Sequence, residues 1–171
     1  MATQTKTGIL ASDNTAKREE IVELLQAAYW MEIESVMSYI AASVNPDGLL
    51  AREVVESLAE DVDEELGHAK RFAERIKELY GVVPGSMQFS ATQTFLQPPD
   101  RQTDILHIIR GVIEAETGAI EFYNRIIEAA DGVDWTTQDM VIEILRDEEG
   151  HRRLFEGFLR EFEEPSDGHG H

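Results

Sequence analysis

Residues 63–72 read DEELGHAKRF and residues 146–155 read RDEEGHRRLF. Each stretch places a Glu three residues before a His: Glu65 with His68, and Glu148 with His151. On a helix that spacing puts carboxylate and imidazole on one face, a turn apart. Both groups are good ligands for a first-row metal such as iron. With 23 Glu in 171 residues, one such pair arises easily by chance. The matched surroundings do not. Each copy has a second acid four before the His (Glu64, Asp147), a Gly just before it (Gly67, Gly150) and a Phe four after it (Phe72, Phe155). A Gly inside a helix costs about 1 kcal/mol relative to Ala, so two at matching places predict a packing need.

The rest of the chain reads as helices around these two stretches. From about 15 to 43, with Asn14 or Thr15 as cap, Leu25, Ala28, Val36 and Tyr39 share a face with Glu32, while Glu34 points elsewhere. VNPDG (44–48) is a turn. A second helix from about 49 to 80 carries Leu58, Val62, Ala69, Phe72, Ile76 and Leu79 around Glu65 and His68. Residues 81–102 hold three prolines and lack helical periodicity; FLQPP (95–99) is too apolar for a free linker, so this is a crossover packed along the bundle. A third helix, beginning near Asp100–Asp104 and running to about 130, sets Glu116 among Ile109, Val112, Ile113, Ala119, Ile120 and Tyr123. A fourth, about 136–163, sets Glu148 and His151 among Val141, Ile144, Leu145, Phe155, Phe158 and Phe162, and Pro165 ends it. The expected architecture is all-α: a four-helix bundle over 14–164 with a long crossover between helices two and three, a flexible arm at 1–13 and a flexible tail at 165–171.

The four helices fall into two halves. Glu32 is followed by Tyr39 and Glu116 by Tyr123, each seven residues on; Glu65 follows Glu32 by 33 residues and Glu148 follows Glu116 by 32. Each half therefore offers one Glu and one Glu-x-x-His inside an apolar stripe, where an unpartnered charge is expensive. One Glu from each of two helices and a Glu-x-x-His from each of the other two is the known ligand set of di-iron and di-manganese carboxylate bundles. Two divalent ions bring four positive charges, which four carboxylates neutralise. Glu65 and Glu148 are the candidates to bridge them, and each His adds a neutral nitrogen. Without metal, the facing carboxylates would raise one another's pKa.

Composition excludes several alternatives. The absence of cysteine rules out disulfides, thiolate metal sites and rubredoxin-type iron centres. A net charge of −19 opposes phosphate-backbone binding and attracts cations, so no nucleic-acid partner is expected. The first twenty residues lack the apolar core of a signal peptide, and no apolar run approaches a membrane span. The expected location is the cytoplasm, with no membrane partner.

The segments YWMEIESVMSY, DEELGHAKRFAERI, IEAETGAIEFY and RDEEGHRRLF resemble, in ligand position, the ferritin-like superfamily, above all bacterioferritins and bacterioferritin-like Dps proteins. The similarity covers about residues 15–163. It implies a ferroxidase centre made by Glu32, Glu65, His68, Glu116, Glu148 and His151. It implies two iron ions per subunit, with manganese or zinc also suited to the donors, and Fe(II) with dioxygen or hydrogen peroxide as substrates. Tyr39 and Tyr123 would be hydrogen-bond partners or electron donors; ordinary core packing is the alternative for each. Bacterioferritins bind haem through a Met directly after the Glu of helix two. Leu66 stands there, so haem is not expected. No chain follows Pro165 for the short fifth helix that helps build 24-subunit shells, so a homo-oligomeric twelve-subunit shell is expected, with 24 as the alternative. Dps-type basic tails and intersubunit ligands are absent.

The function expected is a ferroxidase for iron storage or detoxification. A peroxide-scavenging erythrin- or manganese-catalase-like enzyme without mineral storage is the enzymatic alternative, and a bundle that binds metal only for stability is the non-catalytic one. Asp104 and His107 repeat the acid–x–x–His spacing, but His107 faces away from Glu116 and reads as a surface or subunit-contact residue. Glu114 and Glu121 also miss the Glu116 face; they are solvated or line a shell interior. His169 and His171 belong to the tail.

Overall fold

The computed structural model describes residue 5 and residues 7–163. The tail at 165–171, with Pro165, His169 and His171, lies outside the described residues. Four long helices carry the fold: α1 (Thr15–Val44), α2 (Arg52–Glu78), α3 (Ile105–Ala130) and α4 (Trp135–Glu163). There is no strand among the described residues. None of the described helices is long and apolar enough to cross a membrane.

Short connections make α1 and α2 one antiparallel pair and α3 and α4 the other. The crossover follows α1 along its length. Gln26 donates to the Val82 carbonyl, Glu34 accepts from the backbone of Thr92 and Gln93, and the Asp47 amide donates to the Gln102 carbonyl. It thus delivers the chain to the far end of α1, and α3 starts there, parallel to α2. Two glycines admit this path. A Cβ on Gly81 would stand 2.7 Å from Val22 and 3.0 Å from the Ile76 carbonyl oxygen, and one on Gly111 would stand 3.2 Å from the Phe95 carbonyl oxygen.

Glu34, which sequence periodicity only turned away from Glu32, anchors the crossover. Its buried carboxylate accepts from Thr92 N (2.7 Å), Thr92 Oγ1 (3.0 Å) and Gln93 N (2.7 Å). His107 serves the same segment. Its ring Nε2 lies 3.0 Å from the Gln97 carbonyl, and its amide donates to Asp104, which caps α3. Asn14 makes no side-chain cap on α1 and donates instead to the Gly8 carbonyl. A flexible arm does not describe Ile9 and Ala11, which are buried; Ile9 joins the core at one end of the bundle, and its carbonyl accepts from Arg18.

The core is two apolar clusters. One holds Leu25, Ala28, Phe72, Ile76, Tyr123, Ile126 and Ile144; the other holds Tyr39, Val54, Leu58, Ile109, Val112 and Phe155. The buried Glu32, Glu65, His68, Glu116, Glu148 and His151 lie between them. In the first cluster's end, Arg75 and Asp134 form a buried ion pair at 2.6 Å, and Asp134 also accepts from Thr137 at the start of α4. The DGVDW turn is fixed by this network, which the sequence reading did not identify.

Candidate metal centre

Glu32 of α1, Glu65 and His68 of α2, Glu116 of α3, and Glu148 and His151 of α4 converge between the two apolar clusters, each between 1% and 9% exposed. Each helix contributes because its Glu lies within the apolar stripe that packing turns inward. The six residues form two overlapping groups: Glu32, Glu65, His68 and Glu148, and Glu65, Glu116, Glu148 and His151, with ligand atoms in each group within 4.8 Å of one another. Glu65 and Glu148 belong to both. Glu148 spans the centre, with Oε1 3.2 Å from His68 Nδ1 and Oε2 3.5 Å from His151 Nδ1. His68 Nδ1 lies 3.7 Å from Glu32, and His151 Nδ1 lies 3.7 Å from Glu65 and 3.9 Å from Glu116.

The donors fit metal ions. His68 Nδ1, His151 Nδ1 and both Glu148 carboxylate oxygens are buried and lack a hydrogen-bond partner. Buried polar atoms are ordinarily satisfied. Four that are not, on residues grouped this closely, fit a divalent cation. Oxygen and imidazole donors suit iron, manganese or zinc.

The protonation states point the same way. Burial, then the facing Glu65, pushes the Glu32 carboxyl well above the ordinary range; burial, then Glu148, does so for Glu116. Burial, then Glu148, raises Glu65 to about 7. For Glu148, burial is outweighed by the His151 and His68 imidazoles beside it, which bring it to about 2. Burial opposes the charged form of His151, but Glu148 and Asp61 lift it to about 10; His68 is raised against the same opposition by Glu148. Grouped in one buried site, these acids except Glu148, and both histidines, favour their protonated forms, and a bound cation would displace those protons.

The tyrosines cross between halves. Tyr39 donates to Glu116, and Tyr123 donates to Glu32. Sequence spacing pairs Tyr39 with Glu32 on α1 and Tyr123 with Glu116 on α3; folding exchanges the partners. Burial, then the adjacent carboxylate, raises both phenols well above 10, so each keeps its proton and remains a donor.

The acid four residues before each His is also used across the bundle. His68 Nε2 lies 3.3 Å from Asp147, and His151 Nε2 lies 2.8 Å from Glu64. A carboxylate on the outer nitrogen fixes a ligating imidazole's tautomer and orientation. The echo marked these acids, but only the helix pairing shows which His each one meets. Asp61, also buried and 3.7 Å from His151 Nε2, was missed altogether. The matched glycines have no packing role here: a Cβ on Gly67 or Gly150 would meet nothing within 4 Å.

The chain is similar to several known proteins. The DNA protection during starvation protein of Pyrococcus furiosus is 28% identical over 146 residues, covering 82% of this chain and 77% of its own. The bacterioferritin of Desulfovibrio desulfuricans, whose structure records a diiron site in different catalytic states, superposes with a TM-score of 0.75 at 21% identity, over 90% of this chain and 85% of its own. The dodecameric thioferritin of Bacteroides fragilis, a bacterioferritin-related protein, superposes with a TM-score of 0.72 at 24% identity, over 85% and 87%. Residues 22–164 match the Ferritin family, the ferritin-like domain, and with a four-helix bundle that brings two Glu-x-x-His pairs and two further glutamates together, the chain belongs to the ferritin-like family.

Proposed function

We propose that this protein is a ferroxidase that binds two Fe(II) ions within each subunit and oxidises them with dioxygen or peroxide, for iron storage or detoxification in an oligomeric shell. The observation that carries the reading is the pair of four-residue donor sets sharing Glu65 and Glu148. Glu32 and His68 would complete one position, and Glu116 and His151 the other. With peroxide, two Fe(II) give up one electron each and the peroxide takes two protons, leaving two Fe(III) and two waters. With dioxygen the same two electrons and two protons yield hydrogen peroxide.

The chain's residues hold this chemistry in place. Four carboxylates balance four positive charges in a site walled by apolar clusters, where charge interactions are stronger than in water. Tyr39 and Tyr123, held protonated, steady the terminal carboxylates Glu116 and Glu32. Asp147 and Glu64 hold the two imidazoles by their outer nitrogens, leaving Nδ1 turned inward. The negative net charge draws cations toward the molecule and opposes nucleic-acid binding. The dodecameric state of the Bacteroides fragilis relative supports a twelve-subunit shell here.

The test is an aerobic ferrous titration of metal-free protein, with the variant Glu65→Ala/His68→Ala alongside. Retained iron far beyond two per chain, with fast oxidation abolished in a still-helical variant, is the expected result. Unchanged oxidation kinetics in that variant would overturn the assignment. Saturation at two per chain despite rapid oxidation would point instead to a peroxide-scavenging di-metal enzyme without storage.

A further inference from the structure

Asp61 belongs to neither of the donor sets that share Glu65 and Glu148. It is nevertheless buried: its side chain is 9% exposed, and its Oδ2 has no hydrogen-bond partner. Leaving a carboxylate oxygen in that state is costly. The near-twofold repeat of the chain sharpens the anomaly. A shift of 83 residues (148 − 65) carries Glu65 onto Glu148, His68 onto His151 and Glu64 onto Asp147; the same shift carries Asp61 onto Ile144. One end of the centre thus has a buried acid where the other has an apolar side chain.

The surroundings of Asp61 form a set of donors. His151 looks two ways: its Nδ1 faces the Glu65–Glu148 space, while its Nε2 lies 2.8 Å from Glu64 Oε2 and 3.7 Å from Asp61 Oδ1. Ligand atoms of Asp61, Glu64 and His151 all lie within 4.8 Å of one another. Glu64 is exposed, so the group reaches from solvent to the wall of the buried centre.

We propose that Asp61 and Glu64 hold an additional divalent cation at one end of the centre, with His151 Nε2 as a third donor only while Nδ1 serves no inner ion. Two carboxylates and an imidazole suit Fe(II), Mn(II), Co(II) or Zn(II). A neutral imidazole has one free lone pair. When Nδ1 serves an inner ion, Nε2 carries the proton, and the outer ion is held by the two carboxylates alone. The outer position is therefore the weakest of the three. His151 is then the ligand shared along a one-ended path from solvent inward; this handover role rests on the di-metal reading, whereas the outer site does not.

The experiment is anaerobic equilibrium dialysis of the full-length chain against Co(II), wild type beside Asp61→Asn, with bound metal counted per chain. Asparagine keeps the size of the side chain and removes its charge. Adventitious binding to the acidic surface is common to both proteins, so the difference is the readout. The expected result is one weakly bound ion per chain lost in Asp61→Asn with the two tight ions retained; Asp61→Ser loses the same ion, and circular dichroism of both variants identifies one that fails to fold. No difference in count overturns the proposal. So does an unchanged count with a weakened second ion, which would make Asp61 a positioning residue for His151. Fewer than two tight ions in the wild type overturns the di-metal reading instead, and there the outer site stands only if an ion is still lost on replacing Asp61.

Discussion

The exchanged hydrogen bonds of Tyr39 and Tyr123 tie the two halves of the repeat together at the level of single atoms. Each phenol sits in one apolar cluster and reaches a Glu on a helix of the other half. Replacing either by Phe preserves shape but leaves a buried carboxyl group short of a donor. Tyr39→Phe and Tyr123→Phe should each cost about 1–3 kcal/mol in denaturant unfolding of the chelated protein, with helix content kept. A cost near zero would mean the hydroxyls are incidental to the packing of the rings.

Among the elements, α2 and α4 carry glycines that nothing in the packing explains. With open space beside Gly67 and Gly150, only the helix-propensity term remains. Gly67→Ala and Gly150→Ala should each stabilise the chain, by up to about 1 kcal/mol, visible as a raised midpoint at unchanged m-value. Destabilisation would reveal a neighbour acquired in an assembled shell. Several contacts hold the crossover, and Glu34 supplies three of them. Glu34→Ala removes the acceptor of two backbone amides and one hydroxyl, and should cost about 2–3 kcal/mol while making residues 81–102 more susceptible to protease. Uniform cleavage rates in variant and wild type would contradict the anchoring role.

At the scale of the whole molecule, the centre makes stability depend on pH and metal together. Glu65, Glu32, Glu116, His68 and His151 all have raised affinity for protons in the folded chain, and Glu65 reaches about 7. Between roughly pH 4.5 and 7 the folded state therefore binds more protons than the unfolded one, so stability falls as pH rises. The histidines extend the fall upward, toward about 10 for His151. Glu148, lowered to about 2, acts oppositely, but its contribution is complete above the ordinary carboxylate range. Thermal melts of chelated protein should show Tm declining from about pH 5 to about pH 8. Added Zn(II) should raise Tm by an increment that grows over the same range, because the ions displace those protons. An increment independent of pH would show that the ions bind elsewhere.

Four helices, their approximate ends, the packed crossover and the six candidate ligands are all legible in the sequence. A 3.6-residue period fixes which side chains share a face, and a charged residue inside an apolar face demands a partner. Spacing along one helix, however, says nothing about which helix lies opposite. The pairing of Tyr39 with Glu116, of Tyr123 with Glu32, of His68 with Asp147 and of His151 with Glu64 was decided only when the two halves packed together. The roles of Glu34, Arg75 and Asp134 likewise depend on partners about sixty residues away. Asp61 lies on the face of α2 one turn before Glu65, yet only the folded chain sets it beside His151 of α4 and buries it with an oxygen unpaired. Local periodicity determined the elements and the inward residues; contacts between elements, which have no period, determined the partners.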